Sequence, residues 1–372
     1  MTLTGTQGSS RRENRSASSS SEKEATTVED ATGKIVESGI LTRTQESSED
    51  SSFTYQKDAK SIVIDGQENI YSVAFLVDGK HVMSGSMEGK IRRWRVENGQ
   101  EVETPMDAGS PILCIAVSRN GKCVVSGTES GLVTVWNAES HSKVTEWKAH
   151  DKWVQAVDVS PDGTKIATGS YDQTVCVWSL STGKRLLGPF KHAHTVVAVK
   201  FSPNGRLVAT ATWDDVRVYK SHGLLIQFPI KAYSGLNQSL AWASDSKQLF
   251  ALSRDGNVHC LDVSIGKTRS KWRIPSGDSD IARCIALAGN GTFITVSANS
   301  SITFWDTATH EQIGSVIEQT HSIWCLAISV KYDLAMSGGN TTTLRGLCDI
   351  LPSRYLTMYV YLREKTSCEM AF

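Results

Sequence analysis

His150, Ser170 and Asp172 are the residue types of a hydrolase triad, in which a carboxylate orients a base and the base activates a hydroxyl nucleophile. The same types recur as His192, Thr212 and Asp214, each 42 residues further along. A catalytic set occurs once; a set that returns at a fixed interval belongs to a repeating fold. We therefore read these residues as structural hydrogen-bond partners and assign no catalytic residue. The chain also lacks GxSxG, the P-loop GxxxxGK[ST], HExxH and an EF-hand loop. Gly289-Asn-Gly291 reads as a hairpin turn, not a phosphate cradle. The eight cysteines are scattered, with no CxxC and no Cys/His cluster at metal-ligand spacing. No metal or cofactor is expected.

The elements that position these residues are short β-rich runs. Tyr71–Gly79, Val154–Gly163 and Val197–Gly205 are each an alternating strand ending in Asp-Gly or Asn-Gly, a hairpin signal. The turn marker falls at Gly79, Gly121, Gly163, Gly205, Ser246, Gly291 and Tyr332. A second marker, the last core-facing residue of a later strand, falls at Trp94, Trp136, Trp178, Tyr219, Leu261 and Trp305. Both recur every 41–45 residues. About four strands per unit at that period is the signature of a β-propeller, whose sheets bury their faces only against one another. The expected fold is all-β, a seven-bladed propeller closed into a ring so that long sheet edges are not exposed. Cys114, Cys284 and Cys325 align with Ser72, Ala156, Ala198 and Ser239, one position of the first strand that wants a small residue.

At these residues the chain resembles the WD-repeat β-propeller family, over roughly residues 60–350. Unit three carries the fullest match: Ala149-His150, then Gly169-Ser170-Tyr171-Asp172, then Trp178. The resemblance implies that His150, Ser170, Asp172 and Trp178 form a hydrogen-bonded tetrad, and that His192, Thr212, Asp214 and Tyr219 form its counterpart in unit four. Unit seven is degenerate: after Gly338-Gly339-Asn340 it has no Trp. In the family the outermost strand of the last blade usually comes from the N-terminal end, and Ser61–Asp65 would serve here. The strand-like Tyr355–Leu362 competes for that edge. Residues 351–372 are read as an atypical C-terminal extension.

Residues 1–59 are rich in Ser, Thr and charge, with too little apolar surface to offset their ordering entropy, and read as a disordered tail. Lys+Arg and Asp+Glu are both 39, which argues against gripping nucleic acid or an anionic membrane by bulk charge. Lys90, Arg92, Arg93 and Arg95 make one short basic strand, read as a solvated flank or a contact for an acidic partner. No run approaches the ~18 apolar residues of a membrane helix, and there is no secretory apolar core. A cytoplasmic or nuclear location and a monomeric propeller are expected.

The family binds peptides and domains on its narrow face. The resemblance places two kinds of position there. One lies in the turn after the second strand: Met87, Glu129, Tyr171, Trp213, Arg254, Ala298 and Gly339. The other lies at the entry to the first strand: Trp153 with Gln155, Tyr71, Arg283 and Trp324. Aromatic side chains and Arg dominate interface energetics. Trp153, Tyr171 and Trp213, flanked by Arg254, are the expected partner-binding patch, with Tyr71, Arg283 and Trp324 beside it. The expected role is a non-enzymatic protein-interaction scaffold. The runner-up is a nuclear chromatin- or RNA-processing-complex subunit that recognises basic or modified peptides.

Overall fold

The computed structural model describes residues 28–29, 35–36, 61–64, 69–230, 239–253, 255–274, 282–287, 291–298, 300–319, 322–329, 334–339 and 342–346. Residues 1–58 are a separate unit, in which an antiparallel pair is described, β1 (Val28–Glu29) and β2 (Ile35–Val36). The rest of the predicted tail, and all of 351–372, lie outside the described residues.

The second unit contains seven four-stranded antiparallel sheets among the described residues. The last sheet borrows its outer strand from the start of the unit, β3 (Ser61–Ile64). The first is β4 (Ile70–Phe75), β5 (His81–Ser86), β6 (Lys90–Arg95) and β7 (Met106–Asp107). The second is β8 (Ile112–Val117), β9 (Cys123–Thr128), β10 (Leu132–Asn137) and β11 (Lys143–Lys148). The third is β12 (Val154–Val159), β13 (Lys165–Ser170), β14 (Thr174–Ser179) and β15 (Arg185–Lys191). The fourth is β16 (Val196–Phe201), β17 (Val208–Thr212), β18 (Val216–Lys220) and β19 (Gly223–Phe228). The fifth is β20 (Leu240–Trp242), β21 (Gln248–Leu252), β22 (Asn257–Asp262) and β23 (Lys267–Arg273). The sixth is β24 (Ala282–Leu287), β25 (Phe293–Ala298), β26 (Ser301–Asp306) and β27 (Gln312–Glu318). The seventh is β28 (Ile323–Ser329), β29 (Leu334–Gly339) and β30 (Thr342–Gly346), completed by β3.

The predicted hairpin turns have a common cause. Ser160 to Gly163 closes with the Gly163 N–H donating to the Ser160 carbonyl at 2.8 Å, and the Asp162 carboxylate accepts the Thr164 N–H at 3.0 Å. The fourth residue is left-handed at all six described turn markers, with φ between 58° at Ser246 and 81° at Gly291. Five of these six are Gly, which adopts that conformation without a Cβ clash.

Apolar side chains of consecutive sheets interlock. Met83, Ile91 and Met106 of the first sheet share a core with Ile112, Val124 and Trp136 of the second. Val133, Val135 and Cys114 of the second share one with Ile166, Cys176 and Trp178 of the third. The first strands of successive sheets touch in chain order, and β28 returns to β4. Cys325 and Met336 of the last sheet pack with Ile70, Val82 and Trp94 of the first. The architecture is a β-propeller.

The last sheet's outer edge is filled from the N-terminal side. Ser61, Ile62, Val63 and Ile64 pair antiparallel with Arg345, Leu344, Thr343 and Thr342. Tyr355–Leu362, the competing strand of the sequence, lies outside the described residues.

The small-residue slot has a physical explanation. Cys114, Ala156 and Cys325 stand opposite Gly127, Gly169 and Gly338 in the neighbouring strand. A Cβ on Gly127 would lie 2.6 Å from both Cys114 Sγ and Val154 Cγ1 of the next sheet. The thiols reach across the same joint: Cys114 Sγ is 3.3 Å from the Val154 carbonyl oxygen and Cys284 Sγ is 3.2 Å from that of Trp324. Burial raises the Cys114 and Cys325 thiol pKa values well above the ordinary range, so both stay protonated.

Candidate functional site: an aromatic rim above buried hydrogen-bond networks

The first four sheets are braced inside by buried polar hydrogen bonds. In the third, the buried His150 ring places Nδ1 3.0 Å from Asp172 Oδ2 and Nε2 2.7 Å from Thr168 Oγ1. The Trp178 indole N–H donates to Thr168 Oγ1 at 2.9 Å. Asp172 also accepts the N–H groups of Asp151 and Thr174 and the Thr174 hydroxyl. Because a carboxylate only accepts, the proton between His150 Nδ1 and Asp172 Oδ2 is carried on Nδ1. Burial alone would raise the Asp172 pKa; the bonds from His150 and Thr174 outweigh it and hold the carboxyl well below the usual range.

This corrects the sequence expectation for Ser170. Trp178 pairs with Ile166 across the β13–β14 ladder, so Thr168 is one same-face step away and Ser170 is two. The indole reaches the nearer hydroxyl. Ser170 instead accepts the Asp172 N–H at 3.0 Å, within the turn. The Thr168 hydroxyl is 0 % exposed and engaged by Trp178, so it offers no accessible nucleophile.

The fourth sheet requires a second correction. Tyr219 Oη lies 3.1 Å from His192 Nε2, but the carboxylate near that ring is Asp215, 3.9 Å from His192 Nδ1. Thr212 Oγ1 donates to Asp215 Oδ1 at 2.6 Å, while Arg217 Nε and Gln227 Nε2 donate to Oδ2 at 2.8 and 2.7 Å. Asp214 instead faces the rim and pairs with His194 Nε2 at 2.6 Å. The cause is a shorter hairpin: Thr212 to Tyr219 is seven residues where Ser170 to Trp178 is eight. Thr212 N–H closes directly on the Asp215 carbonyl at 2.8 Å, which moves the inward-facing carboxylate on by one residue. Burial tends to raise the Asp215 pKa, but His192, Thr212 and Arg217 together hold it well below the usual range. Burial lowers the pKa of His192, with Asp215 opposing.

A hydroxyl ten residues before the tryptophan also serves the first two sheets. Trp94 Nε1 donates to Ser84 Oγ at 2.7 Å and Trp136 Nε1 to Ser126 Oγ at 2.9 Å. Ser84, Ser126 and Thr168 are 42 residues apart, a repeat signal the sequence reading passed over. In the sixth sheet Trp305 turns to Thr303 at 2.9 Å, and among the described residues the buried Thr295 hydroxyl has no hydrogen-bond partner.

These networks fix the turns that carry the rim. The N–H of Tyr171 donates to the Trp153 carbonyl at 3.0 Å, as Glu129 does to Pro111 at 2.9 Å and Met87 to Asn69 at 3.2 Å. The two kinds of rim position are thereby tied together within a sheet. Trp153 and Tyr171 lie with ring centroids 5.7 Å apart, and Lys152 Nζ sits 5.5 Å over the Tyr171 ring. On the next sheet Trp213 stacks on His194 at 6.1 Å instead of joining that pair. Trp153, Tyr171 and Trp213 are each 43 % exposed.

Tyr71 and Trp324 form a second aromatic pair, stacked at 5.2 Å. Both occupy a β-bulge at the second position of a first strand. The same register shift recurs at Leu113, Gln155, Val197 and Arg283. A bulge re-aims one side chain out of the ladder's alternation. The ring stack joins the last sheet to the first. Arg254 lies outside the described residues, and Arg283 is described only by its place at the bulge of β24. Lys152 and His194, absent from the expected set, stand against the rings of Tyr171 and Trp213.

Two arginines of the basic strand are paired with carboxylates of their own sheet. Arg92 pairs with Glu101 at 2.8 Å and Glu88 at 3.2 Å, and Arg93 lies 3.8 Å from Asp78 and 3.7 Å from Glu103. Among the described residues no group of three His, Cys, Asp or Glu side chains is arranged to hold a metal, and no helix is long and apolar enough to cross a membrane.

The family model for the WD domain, G-beta repeat, matches residues 60–95, 101–137, 141–179 and 185–219. These segments cover the first four sheets up to their third strands, each reaching the Trp94, Trp136, Trp178 or Tyr219 marker. A comparison with curated proteins gives no match. The chain carries four WD40 repeats within a β-propeller, which is consistent with the WD-repeat β-propeller family.

Proposed function

We propose that this protein is a non-enzymatic interaction scaffold, a seven-bladed propeller that binds partner peptides or domains on the rim carrying Trp153, Tyr171 and Trp213. Propellers of WD40 repeats generally mediate protein–protein interactions. The observation that carries the reading is the exposure of three large aromatic rings on adjacent sheets, each 43 % accessible. Rings that filled gaps between sheets would be buried like Trp94 and Trp136, both 2 % exposed. Exposed aromatics on a rigid base are the residue type that anchors interfaces, because they bury large area at small entropic cost.

The test compares full-length protein with the Trp153→Ala/Trp213→Ala variant by affinity purification and thermal melting. Loss of specific partners with a melting temperature within about 2 °C of the parent supports the rim. An unchanged partner set moves the binding surface elsewhere.

A further inference from the structure

The fifth sheet ends on an open edge that carries charge of one sign. Its outer strand, β23, reads Lys267-Thr-Arg-Ser-Lys-Trp-Arg273, with four cations and no carboxylate. It pairs with β22 on one side, and among the described residues no strand pairs with its other side. None of the other six outer strands holds more than two cations. Those of β11 are satisfied locally: Lys143 meets Glu146 at 3.0 Å and Lys148 donates to the Ser130 carbonyl. All four cations of β23 are exposed. Lys271 lies 3.7 Å from an exposed Asp255, and among the described residues Lys267, Arg269 and Arg273 form no salt bridge. In a chain whose acidic and basic residues balance, this is a local excess and not bulk charge.

The register fixes where these side chains stand. Ser270 and Trp272 pair with Cys260 and Val258, on the face that packs against the sixth sheet. Trp272 joins Ile285 and Ile294 in one core and stacks on His310 at 4.2 Å. Lys271 and Arg273 pair with His259 and Asn257 and so share the other face, about 6.8 Å apart along the strand. Arg269 falls at the break in register between the Thr268 and Ser270 pairings. The strand is thus anchored by one face while its cations follow the period of an extended chain. Like charges keep two such edges from pairing, but opposite charges across a ladder attract, so this edge is selective for an acidic strand. Its one aromatic ring, Trp272, is 9 % exposed, so the strand lacks the stacking platform of a single-stranded nucleic-acid site.

We propose that the open edge of β23 is a docking site for an extended acidic segment of a partner protein, which adds to the fifth sheet as a further strand. Its backbone pairs with the free edge of β23, and carboxylates at alternate positions meet Lys271 and Arg273, with another reaching Arg269. The proposal stands on this strand alone and does not depend on the rim of Trp153 and Trp213.

The probe is a fluorescein-labelled peptide of alternating Glu and Thr, titrated by anisotropy against the full-length protein. A peptide of the same charge with Pro in place of Thr cannot donate to the ladder and is expected to bind about fivefold more weakly or worse. Binding of the Glu-Thr peptide is expected to weaken by about tenfold or more in Lys271→Glu/Arg273→Glu and to stay within about twofold in Trp153→Ala/Trp213→Ala. Should the charge reversal impair folding by thermal melt, Lys271→Gln/Arg273→Gln replaces it, with an expected loss of about threefold or more. Absence of binding, binding indifferent to the cation variant, or equal binding of the proline peptide overturns the proposal. Tighter binding of an oligothymidylate or of phosphatidylserine vesicles, lost in the same cation variant, overturns it too and assigns the strand to another polyanion.

Discussion

Cys325 Sγ lies 3.7 Å from the carbonyl oxygen of Ile70, although 255 residues separate them in the chain. The joint between the last sheet and the first is thus built from the same parts as Cys114 against Val154 and Cys284 against Trp324. A Cβ on Gly338 would sit 2.7 Å from Cys325 Sγ and 2.9 Å from Ile70 Cγ2, much as one on Gly127 would meet Cys114 and Val154. Gly338→Ala and Gly127→Ala are therefore both expected to destabilise, by about 1–3 kcal/mol each. Urea unfolding measures this. A neutral Gly338→Ala beside a costly Gly127→Ala would mean that the ring does not close through this contact.

The hydroxyl that organises the third sheet is Thr168. Thr168→Val keeps the shape but leaves the Trp178 indole and His150 Nε2 without a partner, at a cost of about 1–3 kcal/mol. Ser170→Ala removes a turn contact to the Asp172 N–H and is expected to cost less. Equilibrium denaturation of the two variants separates the assignments, and the reverse ranking restores Ser170 to the network.

Local rules explain what the sequence disclosed. The turn markers were visible because the left-handed residue must be Gly or a tolerant substitute such as Ser246, whose φ is 58°. The tryptophans were visible because one large core residue per sheet recurs at the period. The polar partners were not, because Ser170-Tyr-Asp172 and Thr212-Trp-Asp214 look alike while their hairpins differ by a residue. That single deletion swaps Asp215 inward and Asp214 outward, an effect of turn closure that no spacing rule of the intact repeat predicts. The rim positions were legible as residue types, but Trp213's preference for His194 over the Trp153–Tyr171 pair depends on side-chain direction.

Acid sensitivity follows from the same networks. Asp172 and Asp215 have folded pKa values below the ordinary 3.8, so at low pH the unfolded chain takes up protons before the folded one. Their stabilisation is complete above that value and is lost as the pH falls through the folded values. His192 behaves differently. Burial depresses its pKa below 6.5, and burial also lowers that of His259, so stability begins to fall once the pH drops below 6.5. Denaturation midpoints followed from pH 8 to about pH 3 are expected to decline in these two stages. His192→Gln is expected to shallow the first stage and Asp215→Asn the second; parallel curves for either variant would remove that group from the titration.

Two tryptophans of the same chain are expected to respond oppositely to truncation. Trp136 is 2 % exposed, packs between the first and second sheets and donates to Ser126. Trp136→Ala leaves a cavity and an unpaired hydroxyl, and is expected to cost about 3–5 kcal/mol. Trp213 is 43 % exposed and touches His194 on one face, with the turn beneath it held by the bonds between Thr212 and Asp215. Trp213→Ala removes none of those bonds and is expected to cost within about 1 kcal/mol. Urea midpoints for both variants, read together with partner capture by Trp213→Ala, distinguish a binding residue from a packing one. A cost for Trp213→Ala approaching that of Trp136→Ala would make it part of the core, because a ring free to engage a partner contributes little to holding its own sheet together.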